Sequence, residues 1–284
     1  MLEPPRRSQW LSVALPASFT RDIPHLREKT SRVGMIARAV AIFRVDEVVI
    51  YEDGSDRPSK HEGRLFQKLL AYQETPQYMR RELFARDPDL QFAGVLPPLR
   101  LPSHPGIELP REGLVREAWV VETGASSLVN AGFKSPVRVA SRLKPHDRVT
   151  VRLTRTEPHL QGELVDPNRL PIYWRFRVTH TDSKLGGLIR KERRDLTIST
   201  SRNGRTIREA MEDLSLRWKS AQRPIVLFGS PDQGVPQILR SDGLDVGEAC
   251  DFNLNTIPDQ GVETVRTEEA LTATLSVLNL LEER

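Results

Sequence analysis

The segment NTIPDQGVETVRTEEAL, Asn255 to Leu271, decides the fold prediction for this chain. It begins at the end of a short predicted strand, Phe252–Asn255, and divides into a strand end, a loop with one glycine, and the start of a helix. Thr267 can cap that helix, with Glu268 or Glu269 in its first turn. In open α/β sheets, ligands bind at the carboxyl ends of the strands. The segment therefore predicts one wall of a binding pocket.

A second loop has the same composition and the same position after a strand. It is LFGSPDQGV, Leu227 to Val235, where glycine would allow the backbone to approach a ligand closely. Neither loop matches the GxxxxGK[ST] or GxGxxG phosphate-binding patterns. Each loop taken alone is equally typical of an ordinary tight turn. Together, after neighbouring strands, they are candidates for one pocket.

The sequence around these loops alternates between predicted strands and helices. Trp10–Leu15 and Asp46–Asp53 are predicted strands on either side of a helix, and the alternation returns after Lys184 with a strand at Asp195–Ser201. Two helices between Arg64 and Phe84 are expected to cover the sheet. This alternation of strands and helices predicts an α/β domain in two halves.

Between the halves, the pattern changes to short alternating segments. A run of prolines between Pro88 and Pro110 predicts a domain boundary. The segments that follow predict a small antiparallel barrel or sandwich. They are VREAWVVET (115–123), SPVRVASRL (135–143), DRVTVRLTR (147–155) and IYWRFRVTH (172–180).

Composition narrows the class of protein. The 284 residues include 28% charged residues, a net charge of +4 and one cysteine, Cys250, so an intrachain disulfide is excluded and a reducing, cytoplasmic setting is expected. No stretch approaches the roughly 20 apolar residues of a membrane span. The histidines are scattered singly, so no metal site is expected.

The order of three segments resembles the SPOUT superfamily of RNA methyltransferases. These segments are STSRNG (199–204), LFGSPDQGV and NTIPDQGVETVRTEEAL. The stretch from Ser18 to Tyr51 is also similar to an archaeal and eukaryotic branch that includes large-subunit rRNA uridine-N3 methyltransferases. That branch carries an OB-like barrel inserted into its methyltransferase domain. The resemblance implies S-adenosylmethionine as cofactor, a trefoil knot in the C-terminal portion, and a homodimer.

The resemblance divides the chain into residues 1–95 and 184–284, the two halves of an α/β SPOUT methyltransferase domain, and residues 96–183, an inserted OB-like RNA-binding barrel. It also implies a set of cofactor-binding residues, of which Thr264 and Glu269 suit structural roles, in packing and at the helix start, slightly better than cofactor binding. The set is Thr200, Ser201, Gly229, Gly234, Ile257, Pro258, Gln260, Gly261, Val262, Thr264 and Glu269.

Basic and aromatic residues predict where RNA binds. Alternation in IYWRFRVTH places Trp174 and Phe176 in the core and leaves Tyr173 outward as the stacking candidate. A charged outward face is also typical of plain solvated surface. The predicted RNA-binding residues are Arg21, Arg27, Arg32, Arg38, Arg148, Arg152, Tyr173, Arg175 and Arg177.

Methyl transfer to uridine N3 is the favoured reaction, with ribosomal RNA, and not DNA, as the expected partner. Such a transfer needs a group that accepts the N3 proton, and the sequence does not identify it. Arg21 and Arg32 are the candidates for a role at the reaction centre, where a permanent cation binds phosphate or orients the uracil.

Two other functions stay open at this point. One is a noncatalytic RNA-binding or ribosome-assembly factor that retains the methyltransferase fold, since no base is identified. The other is a nucleotide-dependent oxidoreductase, which rests on the α/β alternation alone and lacks the glycine fingerprint.

Overall fold

The computed structural model describes residues 3–54, 59–192 and 194–282. Helices and strands alternate along the first part of this chain, a group of short strands follows, and the alternation then resumes. In chain order the elements are β1 (Ser12–Pro16), α1 (Leu26–Ile42), β2 (Glu47–Glu52), α2 (Ser59–Glu74), α3 (Gln77–Leu83), β3 (Val115–Glu122), β4 (Ser127–Asn130), β5 (Val137–Val139), β6 (Arg148–Arg155), β7 (Gln161–Leu164), β8 (Arg177–Lys184), α4 (Leu185–Lys191), β9 (Leu196–Thr206), α5 (Ile207–Ser220), β10 (Pro224–Leu227), α6 (Val235–Ser241), α7 (Val246–Ala249), β11 (Phe252–Asn255) and α8 (Thr267–Asn279).

The chain forms two compact units. The sheet unit comprises Arg7–Gln73, Asp89–Pro97 and Phe176–Arg284, and the barrel unit comprises Met1–Arg6, Glu74–Pro88 and Pro98–Arg175. The expected architecture, an α/β domain in separate halves with an inserted barrel, is confirmed.

The sheet unit is built on six parallel strands in the order β11-β9-β10-β1-β2-β8. Every residue of β1, β2 and β10 is buried. Parallel strands covered on both faces read as continuous apolar runs, which is why the sequence predicts them well. The carboxyl ends of β9, β10 and β11 meet at one edge of this sheet.

Helix α1 covers one face of the sheet unit and packs against α8. Its buried residues include Val33, Ile36, Ala37 and Val40, at the helical spacing expected from the sequence. The loop that follows β11 is the third predicted cofactor loop, and it leads directly into α8. Whether the chain threads through a loop there as a knot stays a prediction.

The barrel unit closes five strands in the order β3-β4-β5-β7-β6. Strands β5 and β7 pair in parallel while the other neighbours are antiparallel. This closed arrangement is that of the OB-like barrel which the sequence predicts. Its core consists of aliphatic side chains such as Val120, Val137, Val151 and Leu153.

Both predicted unit boundaries need correction. Helix α3 was expected to cover the sheet, but it belongs to the barrel unit, where the Tyr78 hydroxyl donates to the Glu117 carbonyl at 2.6 Å. At the other boundary, β8 pairs in parallel with β2, with Val178 opposite Val48. Residues 177–183 are therefore part of the sheet unit. Parallel pairing with a distant strand leaves no local signal, so the alternation in this segment looked like a barrel strand.

None of the helices in the described ranges has both the length and the apolar character that crossing a lipid bilayer requires.

Candidate functional site: a cavity at the carboxyl edge of the sheet

Three segments of the sheet unit surround a cavity of about 650 Å³. Two are the loops that follow β10 and β11, as predicted, and the third is residues 200–203, which lie within β9 and not in a loop after it. This volume lies within the roughly 300–1,000 Å³ of small-molecule sites. The edge of the sheet thus holds a cavity of the right size for a cofactor.

Hydrogen bonds join the three segments that surround the cavity. Thr200 Oγ1 on β9 donates to the Leu227 carbonyl at the end of β10 at 2.9 Å. Asn255 Nδ2 donates to the Arg202 carbonyl at 2.8 Å, and Arg202 Nη1 donates to the Glu263 carbonyl at 2.9 Å. Since each segment is hydrogen-bonded to a neighbouring one, the fold fixes the positions of the cavity walls.

The start of α8 completes this arrangement. Thr267 Oγ1 donates to the Gly229 carbonyl at 3.4 Å, which ties α8 to the loop after β10. The sequence predicted Thr267 as the N-cap of this helix, but Thr267 is its first helical residue. The N-cap is Arg266, whose backbone N–H donates to Glu269 Oε2 at 2.9 Å. Glu269 therefore has the structural role of a helix-start carboxylate.

Gly229 has a steric reason to be glycine. A Cβ at this position would lie 2.5 Å from the Gln233 carbonyl oxygen and 2.9 Å from Gly234 Cα, and both are backbone atoms that cannot rotate away. The loop after β10 closes on itself through a hydrogen bond from Ser230 N to Gln233 O of 2.8 Å. A side chain at 229 would open this turn and displace the cavity wall.

Most of the predicted cofactor residues meet at the cavity. Those that line it are Thr200, Ser201, Gly229, Gly234, Ile257, Gln260 and Thr264. Pro258, Gly261, Val262 and Glu269 are not among its lining residues, and Val262 is 61% exposed. The side chain of Gln260 donates to the Val262 and Glu263 carbonyls, which turns the middle of the third loop away from the cavity.

The sequence missed a further set of lining residues. Pro236, Gln237 and Arg240 come from α6, while Asn253 and Asn255 come from β11. A helix that folds back over a loop leaves no spacing signal. The asparagines at the end of β11 could have been found from their polar character at a strand end.

The lining carries both signs of charge and many neutral donors and acceptors. Arg202 and Arg240 are its cations, and Asp232 and Glu263 are its carboxylates. A nucleoside joined to a zwitterionic amino acid, as in S-adenosylmethionine, has matching groups. The backbone at Gly229, Gly234 and Ile257 and the Thr200 and Asn255 side chains would hold it. When bound, that cofactor supplies an electrophilic methyl group on a sulfonium.

The predicted reaction-centre arginines are both engaged by carboxylates. Arg21, in the loop after β1, pairs with Asp232 in the loop after β10. Arg32 on α1 lies between Asp22, at 3.0 Å, and Glu268, at 3.3 Å. Arg21 is thereby placed next to a lining residue of the cavity, whereas Arg32 contacts the start of α8. Of the other α1 arginines, Arg27 is exposed and Arg38 is half-buried.

For several residues of the barrel unit, the prediction that they bind RNA is wrong. Tyr173 is 1% exposed, so it cannot stack on a base. Its backbone N–H donates to the Pro4 carbonyl at 2.8 Å, which pins this segment to the chain start. The alternation rule failed here because Tyr173 and Trp174 lie in an irregular segment outside any strand.

Arg148 is held in a buried ion network and not on an RNA-binding face. Its guanidinium donates to both oxygens of Glu74, at 2.7 and 2.9 Å, and to Glu117 Oε2 at 2.6 Å. Arg175 lies 3.7 Å from Glu117 Oε2 and 3.9 Å from Glu74 Oε1. Burial alone would raise the pKa of Glu117, but Arg148 and Arg175 outweigh it, so the pKa is lowered. These arginines neutralise buried carboxylates.

The remaining predicted RNA contacts have different surroundings. Arg152 is 41% exposed and pairs with Glu163 at 3.1 Å. Arg177 is on β8 of the sheet unit, with its guanidinium 5.4 Å from the centre of the Trp10 ring. Arg177 is therefore not a barrel residue.

Comparisons with known proteins identify the family to which the chain belongs. A family model described as "Putative RNA methyltransferase" matches residues 10–278. An uncharacterized protein of Haloarcula marismortui is 35% identical over 286 residues, covering 95% of this chain and 99% of that protein. The human and mouse 28S rRNA (uridine-N(3))-methyltransferases are each 34% identical over 304 residues, covering 96% of this chain and 78% and 76% of theirs.

Among solved structures, the SpoU methyltransferase AviRb of Streptomyces viridochromogenes, in complex with AdoMet, aligns with a TM-score of 0.38 and 10% identity. The alignment covers 98% of this chain and 59% of AviRb. That likeness is too low to support a conclusion about this chain.

The class follows from the family match and the relatives together: this is an S-adenosylmethionine-dependent RNA methyltransferase. Within that class, the chain belongs to the RNA methyltransferase family whose model spans residues 10–278.

Proposed function

We propose that this protein methylates N3 of a uridine in ribosomal RNA. One observation carries the proposal: 34% identity to the human and mouse 28S rRNA (uridine-N(3))-methyltransferases extends over 96% of the chain. A match of that extent includes the cofactor cavity and the barrel unit. The substrate of those relatives is therefore the substrate class to test first.

The reaction requires one proton acceptor. The sulfonium methyl group forms a bond to N3 and the bond to sulfur breaks, while the N3 proton leaves to a base. Among the residues that line the cavity, Asp232 and Glu263 are the carboxylates. Both belong to loops that would also hold the cofactor, so we infer that one of them receives the proton from a uridine bound beside it.

Apolar side chains on α1 and at the end of α8 support a homodimer. Met35 and Ile42 are 54% and 56% exposed and are two helical turns apart, and Leu280 is 79% exposed. Since α1 packs against α8, these residues belong to one packed pair of helices. An exposed apolar patch of this kind is typical of a protein interface.

The cytoplasmic location stays a prediction.

The function is tested by mapping modified nucleotides in ribosomal RNA from the encoding organism with and without the gene. Loss of one 3-methyluridine, restored by the wild-type gene and not by a Gly229→Ala variant, is the expected result. Purified protein should restore the same nucleotide with S-adenosylmethionine. An unchanged map, together with intact cofactor binding, would contradict the proposal and favour an assembly factor.

A further inference from the structure

We propose that the barrel unit grips the sugar–phosphate backbone of RNA through Arg138, Gln161 and Arg155, without reading bases. We call these three residues the Arg138–Arg155 surface. The inference rests on the proposed function for the identity of RNA as partner. It adds which surface binds and what that surface recognises.

The strand register places the three side chains in one row. Arg138 on β5 pairs with Gln161 on β7, and Arg155 on β6 pairs with the same Gln161. Neighbouring strands are about 4.8 Å apart, so the two arginines stand on strands separated by roughly 10 Å. Residues directly opposite one another on adjacent strands point to the same side of the sheet. The row is therefore two cations with an amide between them.

Both arginines are exposed, for different reasons. On β5, Val137 and Val139 are buried in the barrel core, so alternation places Arg138 between them on the outer face. On β6, a register shift after buried Leu153 interrupts the alternation, and Arg155 is exposed opposite Gln161.

Both arginines keep their charge available. Within the ranges that the structure describes, Arg155 has no ion pair, and Arg138 donates only to a neutral acceptor, Ser126 Oγ, at 3.2 Å. In contrast, Arg148 is neutralised by buried carboxylates and Arg152 pairs with Glu163. Free outward cations next to neutral polar groups are what a phosphate backbone requires.

A neighbouring turn adds a third cation at a set position. Ser127 Oγ, at the start of β4, donates to the Ser141 carbonyl at 2.8 Å and accepts from Leu143 N at 3.0 Å. Arg142, between these two residues, is exposed. The turn that carries it is held beside Ser126, the residue that contacts Arg138. Arg142 therefore extends the row at its β5 end.

The surface lacks the means to read bases by stacking. Among the described residues, the large apolar side chains that are exposed are all aliphatic or methionine, and Tyr173 and Trp174 of the barrel unit are buried. Single-stranded RNA readers need exposed aromatic faces on which bases stack. Without them, we expect phosphate and ribose contacts to dominate, and these carry no sequence information and weaken with salt.

The test compares an Arg138→Gln/Arg155→Gln variant with wild type. The matched control is Arg152→Gln/Arg169→Gln, because both control arginines are barrel residues already paired with carboxylates, Glu163 and Asp166. Affinity for two 20-nucleotide RNAs of unrelated sequence is measured by fluorescence anisotropy at several salt concentrations. Binding of S-adenosylmethionine, measured by calorimetry, checks that the variant is folded.

We expect the double variant to bind both RNAs about tenfold or more weakly, and by the same factor. The slope of log affinity against log salt should fall by about two, one for each lost phosphate contact. The control should stay within about twofold of wild type. Unchanged affinity and slope would overturn the inference, as would a loss confined to one RNA.

This outcome is separate from that of the proposed function. If wild type binds RNA with this salt dependence but ribosomal RNA lacks the predicted methyl group, the surface stands and the proposed function fails. If wild type methylates uridine but the double variant keeps full RNA affinity, the proposed function stands and the surface fails.

Discussion

Arg32 on α1 and Glu268 in the first turn of α8 form an ion pair, with 3.3 Å between Arg32 Nε and Glu268 Oε1. Glu268 is 4% exposed, and its second oxygen is buried and has no hydrogen-bond partner among the residues that the structure describes. Arg32 also holds Asp22, in the loop after β1. The pair therefore ties the helix that follows the third cofactor loop to the helix that follows the first strand.

Removing Arg32 should cost more than removing the whole pair. In Arg32→Met, the buried Glu268 carboxylate loses its cation, so we expect the free energy of unfolding to fall by about 2–4 kcal/mol. In Arg32→Met/Glu268→Leu, apolar contacts replace the pair, and much of that loss should return. Urea denaturation of both variants measures this. A double variant less stable than Arg32→Met would show that the pair adds net stability.

Gly229→Ala should weaken cofactor binding while Gly261→Ala leaves it intact. A methyl group at 229 would collide with backbone atoms of its own turn, whereas no atom of the described residues lies within 4 Å of a Cβ at 261. We expect the Kd for S-adenosylmethionine to rise about tenfold or more in the first variant, because the cavity wall must shift. Calorimetry measures both. Equal affinities would contradict the placement of the cofactor against the loop after β10.

Acid should remove stability that depends on Glu117. The folded-state pKa of Glu117 lies below its ordinary value of 4.5, because burial is outweighed by Arg148 and Arg175. The folded state therefore takes up the proton less readily than the unfolded chain. The stabilisation is complete above about pH 4.5 and is lost as the pH falls through the folded-state pKa.

Glu117→Gln tests this directly. At pH 7 the variant should be less stable by about 3–5 kcal/mol, since Arg148 and Arg175 lose a buried partner. The difference in the free energy of unfolding between Glu117→Gln and wild type should become smaller as the pH is lowered. Glu163→Gln, which removes an exposed carboxylate, should change stability by less than about 1 kcal/mol. A gap that is constant with pH would contradict the depressed pKa.

One of the two cavity carboxylates should be needed for methyl transfer. Either Asp232→Asn or Glu263→Gln should lower the rate of 3-methyluridine formation about 100-fold, because the N3 proton then lacks its acceptor. Cofactor affinity should change little. Asp259→Asn is the control, since Asp259 is exposed in the third loop and does not line the cavity. Full activity in both variants would assign the proton to solvent.

Charge on the outer face of α1 should separate the proposed dimer. Met35→Glu/Ile42→Glu places two carboxylates in an apolar patch, which a buried interface does not tolerate. We expect a monomer by analytical ultracentrifugation. Leu216→Glu on α5, where the leucine is 66% exposed, should leave the oligomeric state unchanged. A double variant that sediments as wild type would exclude this face as the interface.

Local patterns predicted the parts of the fold that depend on near neighbours. Strands β1, β2 and β10 are buried on both faces, so their apolar runs stand out in the sequence. Loops that follow such strands must lie at one edge of a parallel sheet, and for that reason Gly229 and Ile257 could be assigned to one cavity. The middle of the third loop was misplaced because Gln260 turns back to its own backbone.

From the sequence alone, the alternation of strands and helices, the inserted barrel and two walls of the cavity could be determined, since each depends on residues close together in the chain. Only the tertiary structure decided which barrel cations face solvent. Arg138 and Arg148 look alike in sequence, yet Glu117 from β3 and Glu74 from α2 capture Arg148, while Arg138 is left outward. A buried carboxylate must be paired, and its partner is chosen by distance in space.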